Sequence, residues 1–120
     1  MAHGDEVGFM ISQINNKGLV RINPLGGIWE QTLLAKRVKL LKDDESFLSG
    51  AISEIAPDLL SPEAWSKPTP IANMLVDFGF STQAEAYAAG IREGNFVICE
   101  GSIVFLNCIL DFLRYLIIYT

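Results

Sequence analysis

The chain has 120 residues, half of them hydrophobic, with nine Lys or Arg against fourteen Asp or Glu and a net charge of -5. This length allows one compact domain with a real hydrophobic core. The acid excess argues against nucleic acid as a partner, because phosphate backbones reward clustered positive charge. The two cysteines, Cys99 and Cys108, lack the CxxC spacing of a zinc knuckle and do not indicate a disulfide framework. No basic segment followed by an apolar run opens the chain, so a cytoplasmic location is expected.

The first predicted elements form a hairpin. Residues 7–14 are rich in Val, Phe, Met and Ile and predict a strand, while residues 15–18 tolerate positive φ and predict a tight turn. The return strand is expected over residues 19–22. We expect it to end there because Pro24 lacks an amide hydrogen and two flexible glycines follow.

Two more strands and a proline-rich loop are predicted next. Residues 37–40 alternate charged and apolar side chains, as in a strand with one wet face. A polar turn over residues 42–46 leads to a fourth strand over 47–52, in which Gly50 indicates a bulge or a close approach. Residues 56–70 hold four of the five prolines and predict an ordered loop, pinned by Leu59, Leu60 and Trp65.

A strand over residues 73–78 is followed by the one predicted helix. Thr82 and Glu85 match the capping-box signature, several alanines favour helix, and Gly90 is placed to end it. A turn at Gly94 and Asn95 precedes a last strand over residues 96–98. Short strands joined by hairpin turns, with one capped helix, predict a mainly β fold: a small barrel with a helix packed against it.

The C-terminal run over residues 103–119 is almost wholly apolar but contains Asn107, Asp111 and Arg114. A charged side chain inside a membrane span is costly, so we do not expect this run to cross a membrane. A core strand or helix without its packing partner is the expected structure, and an exposed run of this kind favours aggregation.

His3 and Asp5 stand two residues apart before the first strand, and on a strand their side chains would project from one face. An imidazole is a common ligand of zinc-like ions, and a nearby carboxylate can bind the metal or orient the ligand. Taken alone the pair is weak evidence, because a lone histidine near a chain terminus is more often a solvated residue than a metal ligand. Glu6 is out of phase and is expected to face away. Trp29 and Trp65 could form a peptide-binding surface, but buried aromatic anchors are the expected role.

Several short segments together resemble one family, the tetrahedral dinuclear-metal aminopeptidases, which include glutamyl aminopeptidases and deblocking aminopeptidases. The resemblance covers about residues 2–107. Its matching segments are Ala2-His3-Gly4-Asp5-Glu6-Val7-Gly8-Phe9-Met10, Pro24-Leu25-Gly26-Gly27, Lys67-Pro68, Asp77-Phe78-Gly79-Phe80-Ser81, and Ala86 with Gly90-Ile91-Arg92-Glu93-Gly94. Each segment is short, but their order and spacing together are specific.

The resemblance implies an α/β metallopeptidase whose catalytic domain is interrupted by a small PDZ-like β barrel that helps subunits pair. Residues 1–7 would be the remnant of a catalytic-domain strand, residues 8–98 the inserted barrel, and residues 99–120 an apolar tail in which the resemblance is lost after about residue 107. The resemblance makes His3 a metal ligand and Asp5 a catalytic carboxylate that steadies the metal centre.

The implied function is that of a fragment of a cytoplasmic aminopeptidase that removes N-terminal residues from peptides. The family uses two divalent metal ions, zinc or cobalt, to polarise the peptide carbonyl and activate water. The other ligands and the general base would follow the barrel, where the sequence from Cys108 onward does not match. This chain alone is therefore expected to be inactive and not to hold metal tightly.

The expected partners are peptide substrates and further copies of the chain, without nucleic acid or membrane. A second hypothesis remains open, in which the chain is a non-catalytic β-barrel interaction or oligomerisation module. Such a module would pair with itself or with a relative through exposed strand edges.

Overall fold

The computed structural model describes residues 7–53 and 67–101. Its strands close into an antiparallel barrel in the order β1-β2-β5-β4-β3-β6, and one short helix accompanies them. The predicted mainly β barrel with one helix is confirmed. The elements are β1 (Gly8–Ile14), β2 (Val20–Leu25), β3 (Arg37–Leu41), β4 (Phe47–Ser53), β5 (Leu75–Asp77), α1 (Gln83–Ala88) and β6 (Phe96–Cys99), with short 3₁₀ turns at Glu30–Thr32 and Ile71–Asn73.

The predicted first hairpin is present, and the Asn15 side chain shapes its turn. The Asn15 amide oxygen accepts hydrogen bonds from the backbone N–H of Lys17 at 2.9 Å and of Leu19 at 3.0 Å. Gly18 takes the left-handed backbone conformation, with φ 76°, that the turn needs. β1 and β2 then pair antiparallel, with an irregularity in register between Ile11 and Gln13.

The second strand is longer than predicted, because it runs through Pro24 and ends at Leu25. Pro24 lies opposite Phe9 of β1, whereas the pairing of β2 with β5 is confined to Val20 and Val76. The later half of β2 thus has one paired neighbour among the described residues. A proline is tolerated at such an edge because its missing amide hydrogen is not required by a second ladder.

Strand alternation sends one set of apolar side chains into the barrel. Phe9 of β1, Leu40 of β3 and Val97 of β6 are fully buried, and Ala86 brings the helix into the same cluster. Burial of this apolar surface is the main favourable term in folding a domain of this size. The remaining buried apolar residues are Ile11, Ile14, Val20, Ile22, Leu33, Val38, Ile52, Met74, Val76, Phe78 and Ile91.

Gly50 lies in β4 at a close approach of two segments, one of the two roles predicted for it. A Cβ atom placed on Gly50 would lie 2.5 Å from Cδ1 of Phe78 and 2.7 Å from the carbonyl oxygen of Asp77. Pairing of β4 with β3 is continuous through Gly50, which lies opposite Val38, so the glycine does not mark a bulge there.

The predicted helix caps are both formed. The Thr82 hydroxyl accepts the N–H of Glu85 at 3.2 Å, and the Glu85 carboxylate accepts the N–H of Ser81 at 2.9 Å. Gly90 ends the segment with φ 89°, in the left-handed region that favours glycine after a helix. The side chains that cap α1 therefore satisfy N–H groups that the helix itself leaves without partners.

Replacing Thr82 with alanine removes the hydroxyl acceptor at this N-cap. We expect Thr82→Ala to lower the free energy of unfolding by about 1 kcal/mol, the usual size of an N-cap loss. Thr82→Ser keeps an acceptor in place and serves as the control, with a loss of a few tenths of a kcal/mol at most. Urea denaturation followed by circular dichroism measures both; equal losses in the two variants would contradict a capping role.

The closed barrel changes one part of the interaction-module hypothesis. In a closed strand order every strand has a neighbour on each side, so pairing through exposed strand edges is limited to stretches such as the later half of β2, where one neighbour is paired. Residues 56–66 of the predicted proline-rich loop lie outside the described residues, as does the apolar run over residues 103–119. Residues 67–70 are described and form no helix or strand. Within the described part of the chain, no helix has the length and apolar character needed to span a bilayer.

Candidate functional site

His3 and Asp5, the predicted metal ligand and catalytic carboxylate, lie outside the described residues, as does Glu6. Their assignment therefore stays a prediction. Across residues 7–53 and 67–101, no group of three or more His, Cys, Asp or Glu side chains is arranged to hold a metal ion. Cys99 lies at the end of β6 opposite Val38, and Cys108 is outside the described residues.

The two ends of the described chain lie side by side in the barrel. Gly8, at the start of β1, pairs antiparallel with Ile98, near the end of β6. The backbone N–H of Glu100 continues the ladder by donating to the carbonyl oxygen of Arg37 at 2.8 Å. Because β1 and β6 are antiparallel neighbours, the chain enters and leaves the barrel at the same end.

Charged side chains cluster where β6 leaves the barrel. The Glu100 carboxylate lies 3.4 Å from Nε of Arg37 and 3.4 Å from Nζ of Lys39, so one acid just after β6 pairs with two bases on β3. The Glu100 side chain is 27% exposed, while that of Arg37 is mostly exposed. Partly exposed pairs of this kind contribute little stability. Their effect is to balance charge at the chain's exit.

The connection between α1 and β6 holds a second polar cluster. The Tyr87 hydroxyl donates to the Glu93 carboxylate at 2.7 Å, which lowers the pKa of Glu93 and raises that of Tyr87. The Arg92 guanidinium lies 5.5 Å from the Tyr87 ring centroid and donates to the Tyr87 carbonyl oxygen. Both pKa shifts favour the ionised acid and the neutral phenol. The cluster therefore stabilises the connection between α1 and β6 and offers no group suited to donate a proton in catalysis.

Asn95 is the one polar side chain buried among the described residues, and the sequence indicated it only as a turn residue. Its carbonyl oxygen accepts the N–H of Arg92 at 2.8 Å, and its amide nitrogen donates to the carboxylate of Asp43 at 2.8 Å. The bond with Arg92 lies within the last turn, and the bond with Asp43 links this turn to the β3–β4 hairpin. Burial with satisfied hydrogen bonds makes Asn95 a structural residue and not a ligand site.

The β3–β4 turn contains the most strongly shifted carboxylate. Hydrogen bonds from the Ser46 hydroxyl at 2.5 Å and the Ser46 N–H at 3.0 Å, with Lys42 at 3.3 Å, lower the pKa of Asp44 from its usual 3.8 to about 2. The Asp44 side chain is exposed on this turn, and its sequence neighbours Asp43 and Glu45 are also acidic. Its chemistry is that of a turn stabiliser.

This pKa shift predicts a pH dependence of stability. Because the folded-state pKa of Asp44 lies below its unfolded value, the stabilising contribution is present above about pH 4 and is lost as pH falls through about 2. We expect the difference in unfolding free energy between wild type and Asp44→Asn to be largest near neutral pH and to vanish only below about pH 2. Denaturant titrations across this range measure it.

The matched control for the pH experiment is Ser46→Ala, which removes the hydroxyl donor but keeps the carboxylate. We expect this variant to raise the pKa of Asp44, since the Ser46 hydroxyl is the largest cause of the shift. The loss of stability on acidification should then be smaller than in wild type and should be complete at a higher pH. A constant difference between wild type and Asp44→Asn at all pH values would contradict the assignment.

Trp29 does not have the buried role that the sequence predicted. Its side chain is 68% exposed, just before the 3₁₀ turn at Glu30–Thr32. The Trp29 carbonyl oxygen accepts the N–H and the hydroxyl of Thr32, which fixes the turn, and Leu33 supplies the buried side chain instead. The anchor prediction is therefore wrong for Trp29, while Trp65 lies outside the described residues.

Fold and side-chain content together define the class of domain: a small closed β barrel whose chain enters and leaves at one end. Within the described residues its polar clusters act on structure and include no metal-binding group. A family model described as M42 glutamyl aminopeptidase matches residues 1–108, and the chain belongs to this M42 peptidase family. The family resemblance seen in the short sequence segments is confirmed.

Individual relatives agree with this assignment. The glutamyl aminopeptidase of Lactococcus lactis is 33% identical over 100 residues, which cover 82% of this chain and 28% of that protein. The solved aminopeptidase APDkam598 of Desulfurococcus kamchatkensis matches with a TM-score of 0.78 and 31% identity, over 89% of this chain and 28% of that one.

The TET1 peptidase of Pyrococcus horikoshii, described as able to assemble into a tetrahedron or a large octahedral shell, matches with a TM-score of 0.75 and 27% identity. The match covers 88% of this chain and 31% of that structure. The chain thus spans less than a third of the length of these relatives.

Proposed function

We propose that this chain is a part of a cytoplasmic, metal-dependent aminopeptidase of the glutamyl or deblocking type, which removes N-terminal residues from peptides. The observation that carries the proposal is the family match over residues 1–108, which includes His3 and Asp5. In this proposal residues 1–7 belong to the catalytic domain, residues 8–98 form an inserted barrel, and residues 99–120 are the apolar tail. The chain enters the barrel at Gly8 and leaves it beside that residue, at Ile98. This supports the proposal that the barrel is inserted into another domain, since both connections can then be made at one place.

His3 and Asp5 suit a metal site by their chemistry. An imidazole nitrogen and a carboxylate are donors that zinc and cobalt accept, so His3 would bind a metal and Asp5 would steady the centre. A divalent metal bound there would supply a Lewis acid and an activated water for peptide hydrolysis. The barrel's contribution is to hold the following strand: from Gly8 onward β1 pairs with β2 on one side and β6 on the other.

The chain by itself is proposed to be inactive as a peptidase. One imidazole and one carboxylate leave most of a four-coordinate shell to water, and a dinuclear centre needs more ligands and a general base. We expect no turnover of aminoacyl substrates by the purified chain with zinc or cobalt. Robust metal-dependent cleavage that survives His3→Ala and Asp5→Ala would contradict the assignment of these residues, and cleavage lost in both variants would contradict the proposed inactivity.

Zinc titration of the metal-stripped chain by calorimetry tests the proposed metal site. Complete four-ligand sites bind zinc with a free energy of about 10–16 kcal/mol. A partial site should bind zinc more weakly, with a dissociation constant on the order of 10⁻⁶–10⁻⁴ M. We expect His3→Ala and Asp5→Ala to abolish this binding. Glu6→Ala removes a neighbouring carboxylate that the strand alternation predicts to face away, and it is the matched control, with wild-type affinity. Equal binding by wild type and His3→Ala would overturn the site.

A second candidate function is that of a non-catalytic β-barrel module for oligomerisation. The closed barrel favours it, because the described residues form a complete sheet with several large apolar side chains on its outside. The TET1 peptidase described as a tetrahedron or octahedral shell adds the proposal that this chain forms homo-oligomers. Zinc binding that depends on His3 separates the two functions, since an interaction module has no need of it.

A further inference from the structure

Apolar side chains cover the outside of three neighbouring strands close to the point where the chain leaves the barrel. Gly8 of β1 pairs with Leu25 of β2 on one side and with Ile98 of β6 on the other. Met10, the next outward residue of β1, pairs with Phe96 of β6. Directly paired residues project from the same face of a sheet. We name Leu25, Met10, Phe96 and Ile98 the outer apolar face.

The outer apolar face points away from the core. Val97, which lies between Phe96 and Ile98 on β6, is fully buried, so strand alternation turns its two neighbours outward. Phe96 is 53% exposed, Leu25 45% and Ile98 37%. Gly8 has no side chain and leaves a shallow furrow between Leu25 and Ile98. The face thus presents a few hundred Å² of apolar surface, a size at which patches are often contact surfaces.

The other side of the chain's exit is polar. Arg37 and Lys39 are the outward side chains of β3 at this end, and Lys39 lies opposite Ile98. Both basic groups lie 3.4 Å from the carboxylate of Glu100, the residue that follows β6. An apolar segment that leaves the barrel after Glu100 therefore meets charged groups over β3, but apolar side chains over β6, β1 and β2.

The sequence that follows Gly101, the last described residue, is such an apolar segment. Within residues 103–119 the polar side chains Asn107, Asp111 and Arg114 are spaced four and three apart, which places them on one face of a helix. On a strand the same spacing would send Arg114 to the opposite face from the other two. The spacing therefore predicts a helix with one polar stripe. The residues opposite this stripe are Phe105, Ile109, Phe112 and Leu116.

We propose that residues 103–119 pack as a helix across the outer apolar face of their own barrel, with the polar stripe toward solvent. A helix of this length spans about 25 Å. The three strands of the face span only about 10 Å between their outer members, so the run is long enough to cross them. The run also begins two residues after Gly101, so it reaches the face without a long connection.

Covalent attachment selects this segment as the occupant. A few hundred Å² is less than a standard protein interface buries on each partner, so a separate molecule would be held weakly there. A segment joined to the barrel by a short connection is present at an effective concentration in the millimolar range. A contact too weak to hold a separate protein is therefore formed most of the time within the chain.

Hydrogen exchange of the full chain, read by mass spectrometry on peptides from residues 103–119, tests the barrel side of the contact. The test variant is Phe96→Thr with Ile98→Thr, which keeps β-branched residues on β6. We expect these peptides to exchange at least about tenfold faster in the variant than in wild type. Phe47→Thr makes the same kind of replacement at an exposed aromatic residue of β4, on the far side of β3, and is the matched control with wild-type exchange.

A second pair of variants tests the contact from the side of the run and leaves the barrel sequence unchanged. Ile109→Asp introduces a charge opposite the polar stripe, and Asn107→Asp introduces the same charge within the stripe. We expect Ile109→Asp to lose the slow exchange of residues 103–119, because a carboxylate cannot be buried without a partner. Asn107→Asp should keep it. The thermal midpoint by circular dichroism checks that the barrel of each variant is folded.

Three outcomes would overturn the proposal. The first is equal exchange of residues 103–119 in wild type and in Phe96→Thr with Ile98→Thr. The second is slow exchange that appears only as the protein concentration rises from about 1 to about 100 µM, which assigns the run to a contact between copies. The third is slow exchange only with vesicles of phosphatidylcholine and phosphatidylglycerol, which assigns it to a membrane. None of them bears on the aminopeptidase proposal, which the zinc titration with His3→Ala decides.

Discussion

Phe9→Ala is expected to lower the free energy of unfolding by about 3–5 kcal/mol, the usual cost of truncating a buried phenylalanine to alanine. Phe9 is fully buried near the start of β1, opposite Pro24 on β2 and Val97 on β6. Truncation removes the transfer free energy of the ring and leaves a cavity that the two neighbouring strands cannot fill. The total free energy of unfolding of a native domain is about 5–15 kcal/mol, so this loss is a large share of it.

Guanidinium denaturation followed by circular dichroism measures the effect of Phe9→Ala. Trp29→Ala is the control, because it deletes a larger aromatic side chain that is mostly exposed, and its loss should stay within about 0.5 kcal/mol. A loss below about 1 kcal/mol for Phe9→Ala would mean that β1 is not packed inside a closed barrel in solution.

Local sequence was sufficient for most elements of this fold. The Asn-Asn-Lys-Gly turn, the Thr82 cap and the Gly90 stop act through contacts within a few residues, so their signals are complete in the sequence. The length of β2 was not predictable in the same way. Whether Pro24 ends a strand depends on how many neighbours need its amide hydrogen, and this number is fixed by the barrel's strand order.

Two features of the barrel surface also depend on long-range structure that local sequence does not specify. Trp29 has the side chain of a core anchor, but the 3₁₀ turn that follows it places Leu33 inward and leaves the indole exposed. Leu41, Phe96 and Met10 lie side by side only because β6 is between β1 and β3, a non-sequential order that hairpin signals do not specify. Assignment of His3 and Asp5 came from family resemblance, since two residues alone cannot define a metal site.

Gly50→Ala adds only one methyl group but is expected to lower the free energy of unfolding substantially. Gly50→Ala would place a methyl group 2.5 Å from the Phe78 ring and 2.7 Å from the Asp77 carbonyl oxygen. Phe78 is itself buried, and the Asp77 oxygen belongs to β5, which pairs with β4 beside Gly50. Neither group can move away cheaply, so we expect the free energy of unfolding to fall by about 2–3 kcal/mol.

Gly27→Ala is the matched control, because nothing lies within 4 Å of a Cβ atom at Gly27. Without a clash, alanine restricts mainly the unfolded chain, so this variant should be neutral or more stable by about 0.4–1 kcal/mol. Urea denaturation of both variants measures the difference. If Gly50→Ala matched Gly27→Ala, β4 and β5 would not approach as closely as the barrel requires. A loss confined to Gly50→Ala would instead show that β5, a strand of three residues, closes the barrel through this contact.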